Sequence, residues 1–138
     1  MILKQRSVEE LVTQLTFKEK ISLLAGESIW TTMPIEQLGI PSLVMTDGPH
    51  GVRADPYRPD PLRRSGFTMA FPVGIAMAAS WDVDLLEKLG IALGEETRAM
   101  GCDILLGPCI NIMRTPLAGR NFESFSEDPY LAGRVGVA

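Results

Sequence analysis

The stretch Ser42-Leu43-Val44-Met45-Thr46-Asp47-Gly48-Pro49-His50-Gly51-Val52-Arg53 places an apolar segment directly before a polar one. Residues 42–46 have the length and composition of a short buried strand that ends at Asp47. The residues after it are rich in glycine and charge, which is typical of a loop. Because α/β proteins bind ligands where polar loops leave the C-terminal ends of strands, this stretch predicts both a strand and a site.

Two short helices are predicted before this stretch. Ser7 with Glu10, and Thr16 with Glu19, have the S/T-x-x-E spacing of a capping box. Apolar residues follow each cap at helical spacing, and Gly26 is expected to stop the second helix.

A loop, two further strands and two helices are predicted after it. Residues 54–70 contain three prolines and three arginines without helical periodicity, so we expect a loop. The apolar runs 71–79 and 104–113 predict the second and third strands. A helix capped by Asp82 is expected between them, and the cap-plus-proline pair Asp128-Pro129 predicts the start of a last helix.

This order of elements indicates an α/β fold with a parallel sheet. Three strands would leave open edges, and a parallel sheet needs both of its faces covered. We therefore predict that residues 1–138 are a piece of a larger barrel or sheet rather than a complete domain, and that the isolated chain folds poorly.

Composition excludes several classes of protein. Of the 138 residues, 46% are apolar and 22% are charged, which is typical of a globular chain. The net charge of -4 argues against a nucleic-acid surface. No apolar run reaches the roughly 18 residues of a membrane span. The first residues lack the apolar core of a signal peptide, so we expect a cytoplasmic protein, with a secreted mature form left open.

The soft metal ligands are few. Cys102 and Cys109 fit no metal-ligand spacing, and the chain has a single histidine. We expect two ordinary buried thiols, no metal site and no cofactor.

Polar residues cluster after two of the predicted strands, at 46–53 and 114–127. If the strands are parallel, both clusters lie at one end of the sheet. A carboxylate accepts hydrogen bonds from hydroxyls and a guanidinium donates two in a fixed fork. The combination suits a polyhydroxylated ligand, and composition alone fits a carboxylate or a phosphate equally well.

Plain structural interpretations remain open for these residues. Asp47 before Gly-Pro is a common turn residue, whose side chain bonds its own backbone. Arg120 and Glu123 are three residues apart and can form a simple ion pair. His50 is more suited to shaping its loop than to catalysis. The adjacent Glu127-Asp128 pair is interpreted as a helix start rather than as an acid and a base.

The polar clusters also carry a resemblance. Residues 46–53 resemble the first substrate-binding motif of family 3 glycoside hydrolases, especially of their β-glucosidases, and residues 119–129 resemble the second. Residues 71–82 and 107–112 fit the same family in order. The resemblance extends from about Ser7 to Ala138, and four ordered motifs are a specific signal.

The resemblance implies a fold and a set of roles. The family's first domain is a (β/α)8 barrel of TIM type, often incomplete, so the chain would supply its first three strands or so. Asp47 matches the residue that holds sugar hydroxyls in the cleavage subsite, and Arg53 and Arg120 match the arginines that line that subsite. Glu123 is expected to hold Arg120 in place, and His50 to support the site.

The implied activity is that of a retaining glycosidase acting on terminal non-reducing β-D-glucosyl residues. The family uses a carboxylate nucleophile and a separate acid/base carboxylate, about 5–5.5 Å apart. Both would lie beyond Ala138, as would a second α/β domain, so the isolated chain is expected to be inactive. The expected partner is a β-glucoside or an oligosaccharide, and the oligomeric state is open. The alternatives are a β-xylosidase, a β-N-acetylglucosaminidase, or a non-catalytic sugar-binding or scaffold fragment.

Overall fold

The computed structural model describes residues 6–53 and 67–138. The chain divides into two compact units, Met1–Val44 and Met45–Ala138. Every residue predicted to belong to the site lies in the second unit. Most of the loop predicted at 54–70 lies outside the described residues.

The first unit contains two helices, α1 (Val8–Gln14) and α2 (Phe17–Leu24), and a short 3-10 helix (Glu36–Leu38). Both predicted capping boxes are confirmed, since each cap hydroxyl accepts from the backbone three residues on and each glutamate bonds back. Helix α2 ends two residues before Gly26. The core of this unit is formed by three buried apolar side chains, Leu15, Ile35 and Leu38.

The described part of the second unit contains two pairs of parallel strands. Strand β1 (Met45–Asp47) pairs with β2 (Ile104–Leu106). Strand β3 (Cys109–Ile112) pairs with β4 (Ser124–Ser126). The parallel pairing of β1 with β2, which two helices separate in the chain, confirms the predicted α/β class. Asp47 is the last residue of β1, so its side chain lies at a C-terminal strand end.

The prediction of one continuous strand over residues 104–113 is wrong. Strands β2 and β3 are separate, and Gly107 and Pro108 lie between them. Proline has no backbone N–H to donate to a ladder. Gly107 lies so close to the preceding loop that a Cβ on it would be 2.9 Å from Pro49 Cα. The break lets the two halves of the predicted strand pair with different partners.

The prediction of a strand over residues 71–79 is also wrong, because Gly74–Ala78 form a helix, α3. Periodicity alone cannot distinguish a short buried strand from a short buried helix. Alanine favours the helix, and Gly74 permits close packing, since a Cβ there would lie 2.1 Å from the carbonyl oxygen of Glu123. Helix α3 thus packs directly under the segment that carries Glu123.

The described part of the second unit also contains two longer helices, α4 (Val83–Ala99) and α5 (Pro129–Val137). Their predicted caps are confirmed. Asp82 Oδ1 accepts from the backbone N–H of Leu85 at 2.9 Å, and Asp128 Oδ1 accepts from that of Tyr130 at 2.9 Å. The core between α3, α4, α5 and β4 is formed by buried side chains, namely Met77, Ala78, Leu86, Phe125, Ala132 and Val135.

Several apolar side chains of the strands stay exposed, namely Ile104, Leu106, Ile110 and Ile112. Cys102 is buried as expected, whereas Cys109 is only half-buried. Among residues 6–53 and 67–138, no helix has the length and apolarity to cross a membrane, and no group of three or more His, Cys, Asp or Glu could hold a metal ion.

Candidate functional site

The first part of the site is the turn that follows β1. The backbone N–H of Arg53 donates to the carbonyl oxygen of Asp47 at 2.8 Å, which closes the turn. The buried Thr46 donates its hydroxyl to the carbonyl oxygen of Arg53 at 3.2 Å. These two hydrogen bonds hold the two ends of the turn together, so that Arg53 lies beside Asp47 although it follows six positions later in the sequence.

Two glycines make this turn possible. Gly48 and Gly51 have φ angles of 144° and 151°, which side-chain-bearing residues rarely adopt. A Cβ on Gly48 would lie 2.0 Å from the carbonyl oxygen of Gly51. Neither position has space for a side chain, so the compact turn depends on both glycines.

Asp47 and Arg53 form an open ion pair. Arg53 Nη1 lies 3.7 Å from Asp47 Oδ2. The side chain of Arg53 is 66% exposed and that of Asp47 is 42% exposed. Asp47 Oδ1 accepts from the backbone N–H of Gly48 at 3.0 Å, as the turn interpretation predicts. A carboxylate has about four lone-pair sites, so Asp47 retains capacity to accept from a ligand.

The second part of the site precedes β4. Arg120, with φ 64°, is followed by a 3-10 helix (Asn121–Glu123) that ends directly before β4. The Nε of Arg120 donates to Glu123 Oε1, which confirms the predicted ion pair. The Arg120 side chain is 74% exposed, whereas that of Glu123 is only 5% exposed. The bond to Glu123 uses Nε of Arg120, so the two terminal nitrogens of the guanidinium can donate to a ligand.

Glu123 and Arg120 each shift the pKa of the other. The hydrogen bond from Arg120 lowers the pKa of Glu123 below its ordinary value, although burial acts in the opposite direction. The same hydrogen bond, and the charge of Glu123, raise the pKa of Arg120. Asp47 contributes a smaller effect of the same sign to the pKa of Arg120. The two turns therefore lie within electrostatic reach of each other.

His50 connects the two turns. Its ring makes an edge-to-face contact with Phe122, with centroids 6.1 Å apart and planes at 73°. Its Nδ1 is buried and has no hydrogen-bond partner among the described residues. The supporting role of His50 stays a prediction. Phe122 was not predicted to take part, and its place inside the second motif was the available signal.

The structure brings Asp47, Arg53 and Arg120 into one region, but it corrects the position of Arg120. The sequence placed Arg120 after the end of the third strand. In the structure the chain turns back after β3, and Ser124 pairs with Cys109, the first residue of β3. The Arg120 turn consequently lies beside the connection from β2 to β3, near the strand end that carries Asp47.

The arrangement offers hydrogen-bond acceptors and donors side by side. Asp47 presents a carboxylate, and Arg53 and Arg120 present guanidinium groups whose N–H donors form a fixed fork. A cavity of about 160 Å³ adjoins Arg120 and is also lined by Cys109, Asn111 and Ser124. Such a site can bind a ligand with neighbouring hydroxyls. The sugar-binding roles of the three residues stay predictions.

Relatives of known activity match nearly the whole chain. A thermostable β-glucosidase B from Acetivibrio thermocellus is 47% identical over 135 residues, which are 95% of this chain and 18% of that protein. β-Glucosidase 3B from Thermotoga neapolitana in complex with glucose is 41% identical with a TM-score of 0.81, over 93% of this chain and 20% of that one. β-Glucosidase from Kluyveromyces marxianus in complex with glucose is 42% identical with a TM-score of 0.82, over 96% of this chain and 15% of that one.

The chain thus spans a fifth or less of the length of these relatives. The sequence profile of the glycosyl hydrolase family 3 N terminal domain matches residues 2–138. The match includes both turns of the site, and the fold similarity is obtained at more than 40% identity. The chain belongs to glycosyl hydrolase family 3, as part of the family's N-terminal domain.

Proposed function

We propose that this chain supplies sugar-binding residues to a retaining β-glucosidase that hydrolyses terminal non-reducing β-D-glucosyl residues. The chain would form the first strands of a (β/α)8 barrel within a longer protein. Two pairs of parallel strands support that proposal, as do apolar strand faces exposed in the described unit. Likeness to β-glucosidases in complex with glucose supports glucose as the sugar.

The geometry of Asp47 carries the proposal. Its carboxylate is partly exposed at a C-terminal strand end, 3.7 Å from one guanidinium and within electrostatic reach of a second, that of Arg120. A carboxylate so placed can accept from two neighbouring hydroxyls while the guanidinium groups donate to the adjacent sugar oxygens. Neither an apolar ligand nor a cation would use this set of groups.

The carboxylates of this site are unsuited to the bond cleavage itself. Retaining hydrolysis needs a nucleophile and a general acid whose pKa is raised. The pKa of Glu123 is lowered, which is the opposite of what a general acid needs, and burial against Arg120 leaves its carboxylate no access to act as a nucleophile. Asp47 is paired with Arg53, and Asp128 caps α5. We therefore propose that other segments of the full-length protein supply the nucleophile and the acid/base.

The first test is the substrate profile of the full-length protein. We expect the highest kcat/KM on a nitrophenyl β-glucoside, compared with the β-xyloside and the N-acetyl-β-glucosaminide. NMR of the first product should show the β-anomer, because the mechanism is retaining. Preference for either of the other sugars would contradict the glucosidase assignment. Glucose binding without turnover of any of the three would support a non-catalytic module instead.

The second test ties the activity to this chain. Arg120→Lys keeps the charge but removes the planar fork of donors, so we expect a loss of about tenfold or more in kcat/KM. Arg98→Lys on the exposed surface of α4 is the matched control and should leave kcat/KM unchanged. Equal values for the two variants would mean that Arg120 makes no directed bond to the sugar.

A further inference from the structure

One carboxylate outside the site, on a partly exposed side chain, has a buried oxygen without an obvious structural reason. Glu96 lies on α4, and its Oε1 accepts from the backbone N–H of Met69 at 2.7 Å. Its Oε2 is buried and has no hydrogen-bond partner among the described residues. Burying a carboxylate oxygen without a partner costs free energy. A glutamate at this position is explained if its contact with Met69 serves something other than stability.

Met69 belongs to a segment that packs along the first turn of the site. A Cβ on Gly51 would lie 2.6 Å from the carbonyl oxygen of Met69, so the two backbones are in close contact. Two residues further on, the backbone N–H of Phe71 donates to the carbonyl oxygen of His50 at 2.8 Å. The segment 69–71 therefore forms one wall of the turn that carries Asp47 and Arg53.

The contacts form a continuous path from Glu96 to the site. Glu96 holds the N–H of Met69, the carbonyl of Met69 lies against Gly51, and Gly51 is two residues from Arg53. Arg53 in turn bonds the backbone of Asp47 at 2.8 Å. Without the Glu96 bond, the hydrogen bond from Phe71 to His50 still ties the wall to the turn, but Met69 loses its own anchor beside Gly51. We therefore expect the Asp47 and Arg53 side chains to be held less firmly.

We propose that Glu96 is a positioning residue for the sugar site, which it stabilises through Met69 and the turn after β1. The inference rests on the proposed function, because it assigns the Asp47–Arg53 pair to sugar binding. Glu96 itself touches no substrate. The essential property is an acceptor at Oε1, so a side chain that keeps this acceptor should replace it and one that lacks it should not.

Three variants of the full-length protein test the acceptor. Glu96→Met keeps the length and helix propensity of the side chain but has no oxygen, and we expect kcat/KM on a nitrophenyl β-glucoside to fall about tenfold. Glu96→Gln keeps the acceptor and should retain most of the activity. Glu95→Ala removes an exposed carboxylate from the same helix and should have no effect. Equal losses in Glu96→Met and Glu96→Gln would overturn the proposal, as would failure of Glu96→Met to fold.

A double-mutant cycle separates positioning from general stability. If Glu96 acts through the turn, Glu96→Met should cost much less activity in an Asp47→Asn background than in the wild type. Additive losses would show that Glu96 acts elsewhere and would overturn the proposal.

Hydrogen exchange tests the same path without substrate. Glu96→Met should speed exchange of the backbone amides of Met69, Phe71 and Arg53, whereas Glu95→Ala should not. If the wild type fails to hydrolyse β-glucosides, the proposed function fails. The exchange measurement still shows whether Glu96 stabilises the turn after β1 through Met69. Unchanged exchange at Arg53 would overturn it.

Discussion

The two turns of the site each pair an arginine with a carboxylate, but they differ in how far the carboxylate is exposed. After β1, Arg53 Nη1 lies 3.7 Å from Asp47 Oδ2, and both side chains are substantially exposed. Before β4, Arg120 bonds Glu123 directly, and the carboxylate is almost fully buried while the arginine is 74% exposed. The first turn presents both charged groups to solvent, whereas the second presents only its guanidinium.

The difference shows how similar pairs take different roles. An exposed ion pair contributes little to stability, so Asp47 and Arg53 can separate and bind a ligand instead at a small cost in free energy. A buried carboxylate depends on its partner, because without it the charge is left uncompensated. Glu123 is therefore committed to holding Arg120. Together the turns offer an acceptor on one side and a donor on the other.

The largest effect is expected from the exposed carboxylate. Asp47→Asn in the full-length protein should lower kcat/KM on a nitrophenyl β-glucoside by roughly 10- to 100-fold or more, because hydrogen bonds to a charged acceptor tighten in the transition state. Asp84→Asn, on the exposed first turn of α4, is the matched control. If both variants are equally active, Asp47 is a turn residue only and the contrast between the two turns disappears.

A smaller loss is expected from the buried carboxylate. Glu123→Gln keeps an acceptor for Arg120 Nε but removes the charge, so Arg120 should be held less firmly and kcat/KM should fall by about tenfold or less. Glu87→Gln, on the exposed surface of α4, serves as the control. A loss larger than that of Asp47→Asn would reverse the assignment and make Glu123 a direct sugar ligand.

Packing under the second turn gives a further test. Gly74→Ala would place a Cβ 2.1 Å from the carbonyl oxygen of Glu123, which forces the turn to shift. We expect unfolding free energy to fall by about 1–3 kcal/mol. Gly94→Ala, in α4 with nothing within 4 Å of the added Cβ, should instead raise it by up to about 1 kcal/mol. If chemical denaturation gives similar changes in unfolding free energy for Gly74→Ala and Gly94→Ala, the close packing of α3 against this turn is contradicted.

The smallest expected effect is a dependence of stability on pH. Folding lowers the pKa of Glu123, so the folded protein favours its ionised form. The resulting stabilisation is complete above the unfolded pKa of about 4.3 and is lost as the pH falls through the lower folded pKa. The difference in Tm between wild type and Glu123→Gln should be constant from pH 7 to 5 and shrink at more acidic pH. If the Tm difference instead grows on acidification, folding raises the pKa of Glu123 and the expected direction is wrong.

Local features of the chain were predictable from the sequence. The caps at Ser7, Thr16, Asp82 and Asp128 were identified because a cap bonds a backbone N–H two or three residues away, so the pattern is complete within one short window. The Arg120–Glu123 pair was predictable for the same reason. The resemblance to the family identified both turns of the site before their geometry was known.

The tertiary structure decided what depends on partners distant in the chain. Residues 74–78 are helical because Gly74 and its small neighbours pack against the Glu123 turn, a contact invisible to periodicity. The predicted third strand divides because β2 pairs with β1 and β3 pairs with β4. That division also moves Arg120 back to the strand end that carries Asp47. Composition and spacing determined the α/β class and the residue types of the site, whereas pairing and close packing, which join segments far apart in sequence, determined where those residues meet.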